Sequence, residues 1–426
     1  MRRASIFFFC ILLWPRLICA QSEDVRDRLR ALEDRIRSLE AEVEALKAAQ
    51  ARVSAAATTA PTPAPPVPAA PAQETTVPRE VQLPPGAPLT PSGSLPVYGG
   101  ASAAAKVLNP DVSVIGDFIG AAGRNPINPF PSLEMHESEV GLQAIIDPYA
   151  RGDFFFTFGE EGVGLEEGYI TFTSLPGGFV AKVGKMRSSF GVVNTLHNHN
   201  LPWIDRPLVT HSLVGGEDGI SDAGLSINRI LPAPRGIYLD ATAQIFRGDS
   251  GDVFTSSQRN NVSTVGHLRA YHDLSDSTNL DVGFSYARGH NDLGSAYRTE
   301  LFGTDITLRW KPLKRAIYHS FLTRTELIWS RREQINNIQR PFGLYTSAEY
   351  RVNRRWTVGG RYDRSGRSRE ASLTDSGFST LLTYWPSEFS QIRGQYRYTK
   401  YAEGIGANEF LFQFLFVLGA HGAHPF

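Results

Sequence analysis

The sequence predicts an all-β fold: a transmembrane antiparallel β-barrel of about sixteen strands, preceded by an α-helical coiled coil and a Pro/Ala-rich linker. Three observations carry this. In the stretch Asn408 to Leu418, residues Phe410, Phe412, Phe414, Phe416 and Leu418 recur at every second position, which places them on one face of an extended strand. From Val97 onward the chain breaks into short alternating segments punctuated by Gly, Pro, Asn and Asp. Past residue 20 no apolar run reaches the length of a transmembrane helix, and in lipid only a closed barrel satisfies the backbone of strands.

In chain order, residues 1–20 read as a secretory signal. Arg2 and Arg3 precede an apolar run from Ile6 to Trp14, and Ala20 supplies a small residue at the cut. Both cysteines, Cys10 and Cys19, fall in this segment, so the mature chain is expected to carry none. A lipoprotein would need a small residue before Cys19, where Ile18 stands. Export without disulfides fits an envelope protein of a bacterium with two membranes. The 43 basic and 43 acidic residues cancel, which gives no footprint for nucleic acid.

Residues 22–49 form a heptad seam, with Leu29, Ile36 and Val43 at a and Val25, Leu32, Leu39 and Leu46 at d. Arg28 with Glu33, Arg35 with Glu40 and Glu42 with Lys47 are complementary g–e pairs between parallel chains, so self-association is expected. Leu at d with β-branched residues at a favours dimers. The Arg-to-Glu spacings in 28–33 and 35–40 resemble a motif of trimeric coiled coils, and a homotrimer is the expectation adopted. Residues 50–95, with Pro61, Pro63, Pro65, Pro66 and Pro68, cannot build a core. At ~3.1 Å per residue such a linker reaches on the order of 100 Å, enough to hold a periplasmic coiled coil away from a membrane domain.

Residues 96–426 constitute the barrel. Strand centres are expected near residues 116, 141, 155, 170, 183, 226, 241, 268, 283, 305, 322, 346, 358, 380, 395 and 413. Leu280, Val282, Phe284 and Tyr286 share a face, as do Trp356, Val358, Gly360 and Tyr362, and Ile392, Gly394, Tyr396 and Tyr398. Tight turns at 147–149, 176–178, 231–234, 312–314, 353–354 and 386–387 alternate with longer polar loops, among them 248–262, 331–340 and 364–370. The longest, Val192–Ala223, is the third such loop. An even number of strands places both ends of the barrel on the periplasmic side.

The Phe row ending at Phe426 resembles the carboxy-terminal signal strand of bacterial outer-membrane β-barrels, although His421, Gly422, His424 and Pro425 interrupt it. The segment Val183-Gly-Lys-Met-Arg-Ser-Ser-Phe-Gly191, followed by Trp203-Ile-Asp-Arg-Pro-Leu208, resembles the strand-and-loop pattern of the phosphate-selective porin O/P family. That resemblance implies a passive, trimeric, sixteen-stranded pore in the outer membrane. It also implies that the third loop, with His197, His199, Trp203, Asp205 and Arg206, folds inward and narrows the lumen.

Alternation against apolar partners places Arg269, Arg309, Arg324, Arg351, Arg355, Arg361, Arg393 and Arg397 toward the lumen, with Asp281, Asp305, Glu326, Glu349 and Asp363 on the same faces. Arginine suits oxyanions, so a selective anion track and a wall of cross-strand ion pairs are both readings of this pattern. His197 and His199 in the loop, and His421 and His424 near the terminus, have a spacing suited to zinc or another divalent metal; no other cofactor is indicated. No metalloprotease helix, serine elbow or phosphate loop is present, and no enzyme activity is expected. Expected partners are copies of this chain, membrane lipid, small ions and solutes. Two other readings are a membrane-anchored tether whose coiled coil contacts the cell wall, and a metal-linked outer-membrane receptor.

Overall fold

The alternating segments close into one antiparallel sheet. The computed structural model describes residues 110–159, 162–234 and 236–419, with Arg37 alone before them. The signal segment 1–20, the linker 50–95, the coiled coil 22–49 (except Arg37) and the pair His421/His424 lie outside the described residues. The first five strands are β1 (Asp111–Arg124), β2 (Leu133–Asp147), β3 (Ala150–Gly159), β4 (Gly162–Leu175) and β5 (Phe179–Arg187). After a long loop come β6 (Ser221–Leu231), β7 (Ile237–Phe246), β8 (Ser263–Ser275), β9 (Thr278–Asn291), β10 (Gly294–Trp310) and β11 (Ser320–Glu333). A two-residue stub, β12 (Ile338–Gln339), precedes β13 (Phe342–Arg351) and β14 (Trp356–Arg367). The wall ends with β15 (Glu370–Ser387), β16 (Ser390–Lys400) and β17 (Gly406–Gly419).

Leaving out the stub, sixteen strands form the wall, and each expected centre falls inside one of them. Successive strands pair antiparallel, and β1 closes the ring against β17 from Ser113↔Gly419 to Arg124↔Asn408. The pleat sorts the side chains as the alternation requires. Phe284, Phe302, Tyr362, Phe378, Tyr396 and Phe410 are exposed on the outer face, while Arg361 and Asp363, between the outward residues of β14, are buried on the inner one. A strand with this outer face needs an apolar surround, so the apolar belt and polar interior together define a transmembrane barrel.

The short turns are locked by Asx-type bonds. Asp147 Oδ1 accepts from Tyr149 N (2.7 Å), and Asn353 Oδ1 accepts from Arg355 N (2.9 Å) and Trp356 N (3.1 Å). At the opposite end the expected loop 364–370 is instead largely strand: β14 runs to Arg367 and β15 begins at Glu370. Arg367 binds Asp375 (2.9 Å) and Glu403 (2.6 Å). Such ion pairs let a polar ladder continue past the apolar band, so polarity there marks strand extension and not a loop. The expected loop 331–340 is likewise shortened, because β11 continues to Glu333.

Candidate functional site: a segment folded across the lumen

The connection between β5 and β6 spans residues 188–220, shifted from the expected 192–223. Ser221, Asp222 and Ala223 belong to β6 because they pair with Arg187, Met186 and Lys185. The extended run ends at Arg187, and Phe190 N donates to Ser188 O (2.9 Å) in a tight turn just before Gly191, whose φ is 62°. The segment is tied at its neck. Ser188 N donates to Ile220 O (2.8 Å), and Asn194 Nδ2 donates to Ser188 O (2.9 Å) and Ile220 O (3.1 Å), while Asn194 Oδ1 accepts from Ile220 N (2.8 Å). Gly219 is needed here: its φ is 62°, and a Cβ would lie 2.0 Å from Asn194 Oδ1.

From that neck the segment turns inward. Phe190, Val193, Leu201, Trp203, Val209, Leu213 and Val214 form one buried cluster with inner-wall residues that include Phe246, Val265, Leu301, Ile328, Tyr345 and Leu381. Two 3-10 turns, Val193–Thr195 and Asn198–Asn200, and the short helix α1 (Leu208–Leu213) give it shape. Glu326 of β11 accepts from Val192 N (2.9 Å) and Val193 N (2.8 Å), and Ser285 Oγ of β9 accepts from Gly191 N (2.9 Å). These contacts lie inside the barrel, because their wall partners are inward-facing residues.

On the far wall the segment ends in a cluster around Asp205. Its carboxylate receives Arg361 Nη2 (2.9 Å), Arg397 Nη1 (2.9 Å) and Gln395 Nε2 (2.6 Å). Arg361 also binds Asp363 (2.7 Å), which accepts from Leu208 N at the start of α1 (3.2 Å); Arg397 also binds Glu409. The Arg361 guanidinium lies 4.9 Å from the ring centre of Trp203, which packs edge-on against Tyr345 at 5.2 Å. Burial works against ionisation of Asp205, but the charges of Arg361 and Arg397 and the Gln395 bond hold it well below the ordinary carboxylate range.

On the near wall the segment inserts His197 between strands. Its Nδ1 lies 2.6 Å from Glu139 Oε2 of β2 and 3.3 Å from Glu166 Oε2 of β4, and its Nε2 lies 2.8 Å from Glu167 Oε2. His199 stacks edge-on to His197, ring centres 5.5 Å apart, with Nδ1 3.9 Å from Glu139 Oε2. Burial disfavours the charged imidazole, yet hydrogen bonds to Glu139 and Glu167 and the charge of Glu166 push His197 up to about 10. Arg206 holds the intervening turn through Asn198 Oδ1 (2.9 Å), Leu196 O (2.7 Å) and Val193 O (3.1 Å). Beyond the segment, at the long-loop end, lies a cavity of about 660 Å³ lined by residues that include Phe130, His136, His211, Arg332 and Arg369.

The expected inward arginines separate into groups. Arg361 and Arg397 meet the segment directly, as above. Arg269 pairs with Asp281 (2.5 Å), and Arg393 donates to Gln413 Oε1 (2.7 Å). Arg309, Arg324 and Arg351 occupy inner-face positions on β10, β11 and β13, in successive same-face rows of the register. Arg355 is a correction. It lies exposed in the β13–β14 turn and reaches Tyr384 Oη (3.5 Å), so it belongs to the rim, because the turn ends the alternation before β14 begins. Glu137, Glu139, Glu166 and Glu167 escaped the sequence reading. The same-face spacing of Glu137 and Glu139 was a visible signal, but their gathering with Glu166 depends on strand pairing and a bulge at Phe155/Phe156.

No protein-family model matches the chain. An uncharacterized protein of Aquifex aeolicus (strain VF5) is 29% identical over 349 residues, covering 72% of this chain and 73% of its own. Among solved structures, an anion-selective porin from Comamonas acidovorans aligns with a TM-score of 0.52 at 10% identity, over 72% of this chain and 99% of that one. A loop L8 deletion mutant of OmpT, an outer membrane protein of Vibrio cholerae, gives 0.51 at 11% identity, over 72% and 99%. The outer membrane channel DcaP of Acinetobacter baumannii gives 0.50 at 12% identity, over 76% and 100%. What these proteins share with this chain is the fold.

Proposed function

We propose that this chain is an outer-membrane porin, a passive channel for small hydrophilic solutes that works as a homotrimer, with segment 188–220 as its constriction. The observation that carries the reading is that segment, anchored to both walls of a barrel with a polar interior. A barrel serving only as an anchor has no need of a segment pinned across its lumen by ion pairs. The porin structures that share the fold support the same class.

The reading extends to anion preference, in line with the resemblance to phosphate-selective porins. Arg309, Arg324 and Arg351 belong to none of the ion pairs found among the described residues, whereas Arg269, Arg361 and Arg397 are each neutralised by a carboxylate. Three arginines on neighbouring strands leave a basic stripe on the inner wall, tempered by Glu349 on the same face. Planar-bilayer recording tests both levels. Discrete conductance steps are expected from the purified protein, and their absence would remove the channel reading. Under a salt gradient the reversal potential should report anion preference, and an Arg309→Ser/Arg324→Ser/Arg351→Ser variant should lose most of it. Cation selectivity in the unaltered protein would refute the preference.

A further inference from the structure

The near-wall anchor holds more negative charge than its neighbours neutralise. The carboxylates of Glu137, Glu139, Glu166 and Glu167 gather around His197, and the permanent cations beside them are Arg187, on Glu166 at 2.6 Å, and Arg206. Four carboxylates face two guanidiniums; a protonated His197 leaves one negative charge unmatched, and with His197 neutral the two that remain equal the charge of one divalent cation. Glu139 is 1% exposed, and its Oε1 has no hydrogen-bond partner; Oε2 of Glu166 has only the His197 Nδ1 contact at 3.3 Å. A buried carboxylate oxygen without a donor is costly to keep, which points to a ligand that supplies positive charge.

The donor set identifies the class of ligand. One nitrogen from His197, one from His199 and one carboxylate oxygen of Glu139 all lie within 4.8 Å of one another. Around a tetrahedral zinc ion such atoms stand about 3.3 Å apart, so shifts below an ångström convert this cluster into a coordination sphere. Two imidazoles with carboxylates suit a borderline transition ion, whereas calcium and magnesium call for oxygen ligands throughout. We propose that Glu139, His197 and His199, with Glu166 as the fourth donor, bind one divalent ion of the zinc class and thereby fasten segment 188–220 to β2 and β4. In that state both imidazoles are neutral and the ion replaces the proton that otherwise bridges His197 to Glu139. The site stands independently of the channel reading; only the effect of fastening on conductance rests on it.

The test uses the full chain with His421→Ala and His424→Ala, stripped with chelator and refolded in detergent, so that the terminal histidines contribute nothing. Titration calorimetry with zinc should give one ion per chain, and cobalt(II) should develop the visible absorption of a four-coordinate site. His199→Ala and the near-isosteric Glu139→Gln should each weaken binding by at least about 10-fold, while both barrels keep their folded mobility on unheated gels. No saturable binding, or binding unchanged in both variants, overturns the proposal. If zinc binds but leaves single-channel conductance and its noise unaltered, the site stands and the fastening role falls. A protein without conductance steps would remove the channel reading while leaving the titration fully readable.

Discussion

The two anchors of segment 188–220 use opposite chemistry. At the far wall one loop carboxylate, Asp205, enters a nest of wall arginines; at the near wall one loop imidazole, His197, enters a nest of wall glutamates. The far anchor sets two permanent guanidinium charges among three carboxylates, Asp205 between them with Asp363 and Glu409 on either side, so every charged group in it has a direct ion-pair partner. The near anchor is built around a group whose charge depends on a proton or an ion, and it carries surplus acid. One end is a fixed hinge pin and the other a fitting that conditions can tighten or release.

The largest effect should come from removing the fixed end. Asp205→Ala leaves Arg361 and Arg397 buried with only part of their compensation, which should destabilise docking by about 3–5 kcal/mol. Recording should show larger and noisier conductance, and limited proteolysis should cut the segment while the wall resists. Unchanged conductance and protection would show that the far anchor is dispensable. A smaller loss, about 1–3 kcal/mol, is expected from Gly219→Ala, which forces a Cβ into the left-handed region against Asn194. That change loosens the neck and leaves both anchors chemically intact, so faster proteolysis with retained zinc binding is the expected pattern.

The smallest effect concerns pH. Because the folded pKa of Asp205 is held below the ordinary value of 3.8, its contribution is fully present above that value and is lost only as pH falls through the lower, folded one. Conductance of the metal-free protein should therefore keep its far-wall signature between pH 7 and about 4. Loosening above pH 5 that disappears in Asp205→Asn would contradict the assignment.

Most of the wall was legible in sequence, since a period of two writes inside and outside directly. Phe410 to Phe416 point outward, and Gln413 between them binds Asp117 on the inner face (2.9 Å), as the pleat dictates. The folding-in of the long loop was an expectation carried by the resemblance to porins, not by any local pattern. The partners it would find were not legible. Asp205 meets Arg397 across 192 positions and His197 meets Glu139 across 58, and no local pattern encodes such meetings. Arg355 misled because alternation was carried through a turn, and 364–370 misled because polar residues beyond the lipid band still pair as strands.

The closing pair of strands has a consequence for assembly. β1 is satisfied on one side by β2, within a few tens of residues, but on the other only by β17, with Asp117 and Gln413 lying 296 positions apart. Until the last strand arrives, the first presents a row of unpaired amides and carbonyls, a template for any other strand it meets. Each partial sheet keeps two open margins of this kind until the ring closes. A chain built this way must be kept from pairing until its end is available, and the Phe row that completes the outer belt is also the seam at which the barrel becomes a single molecule.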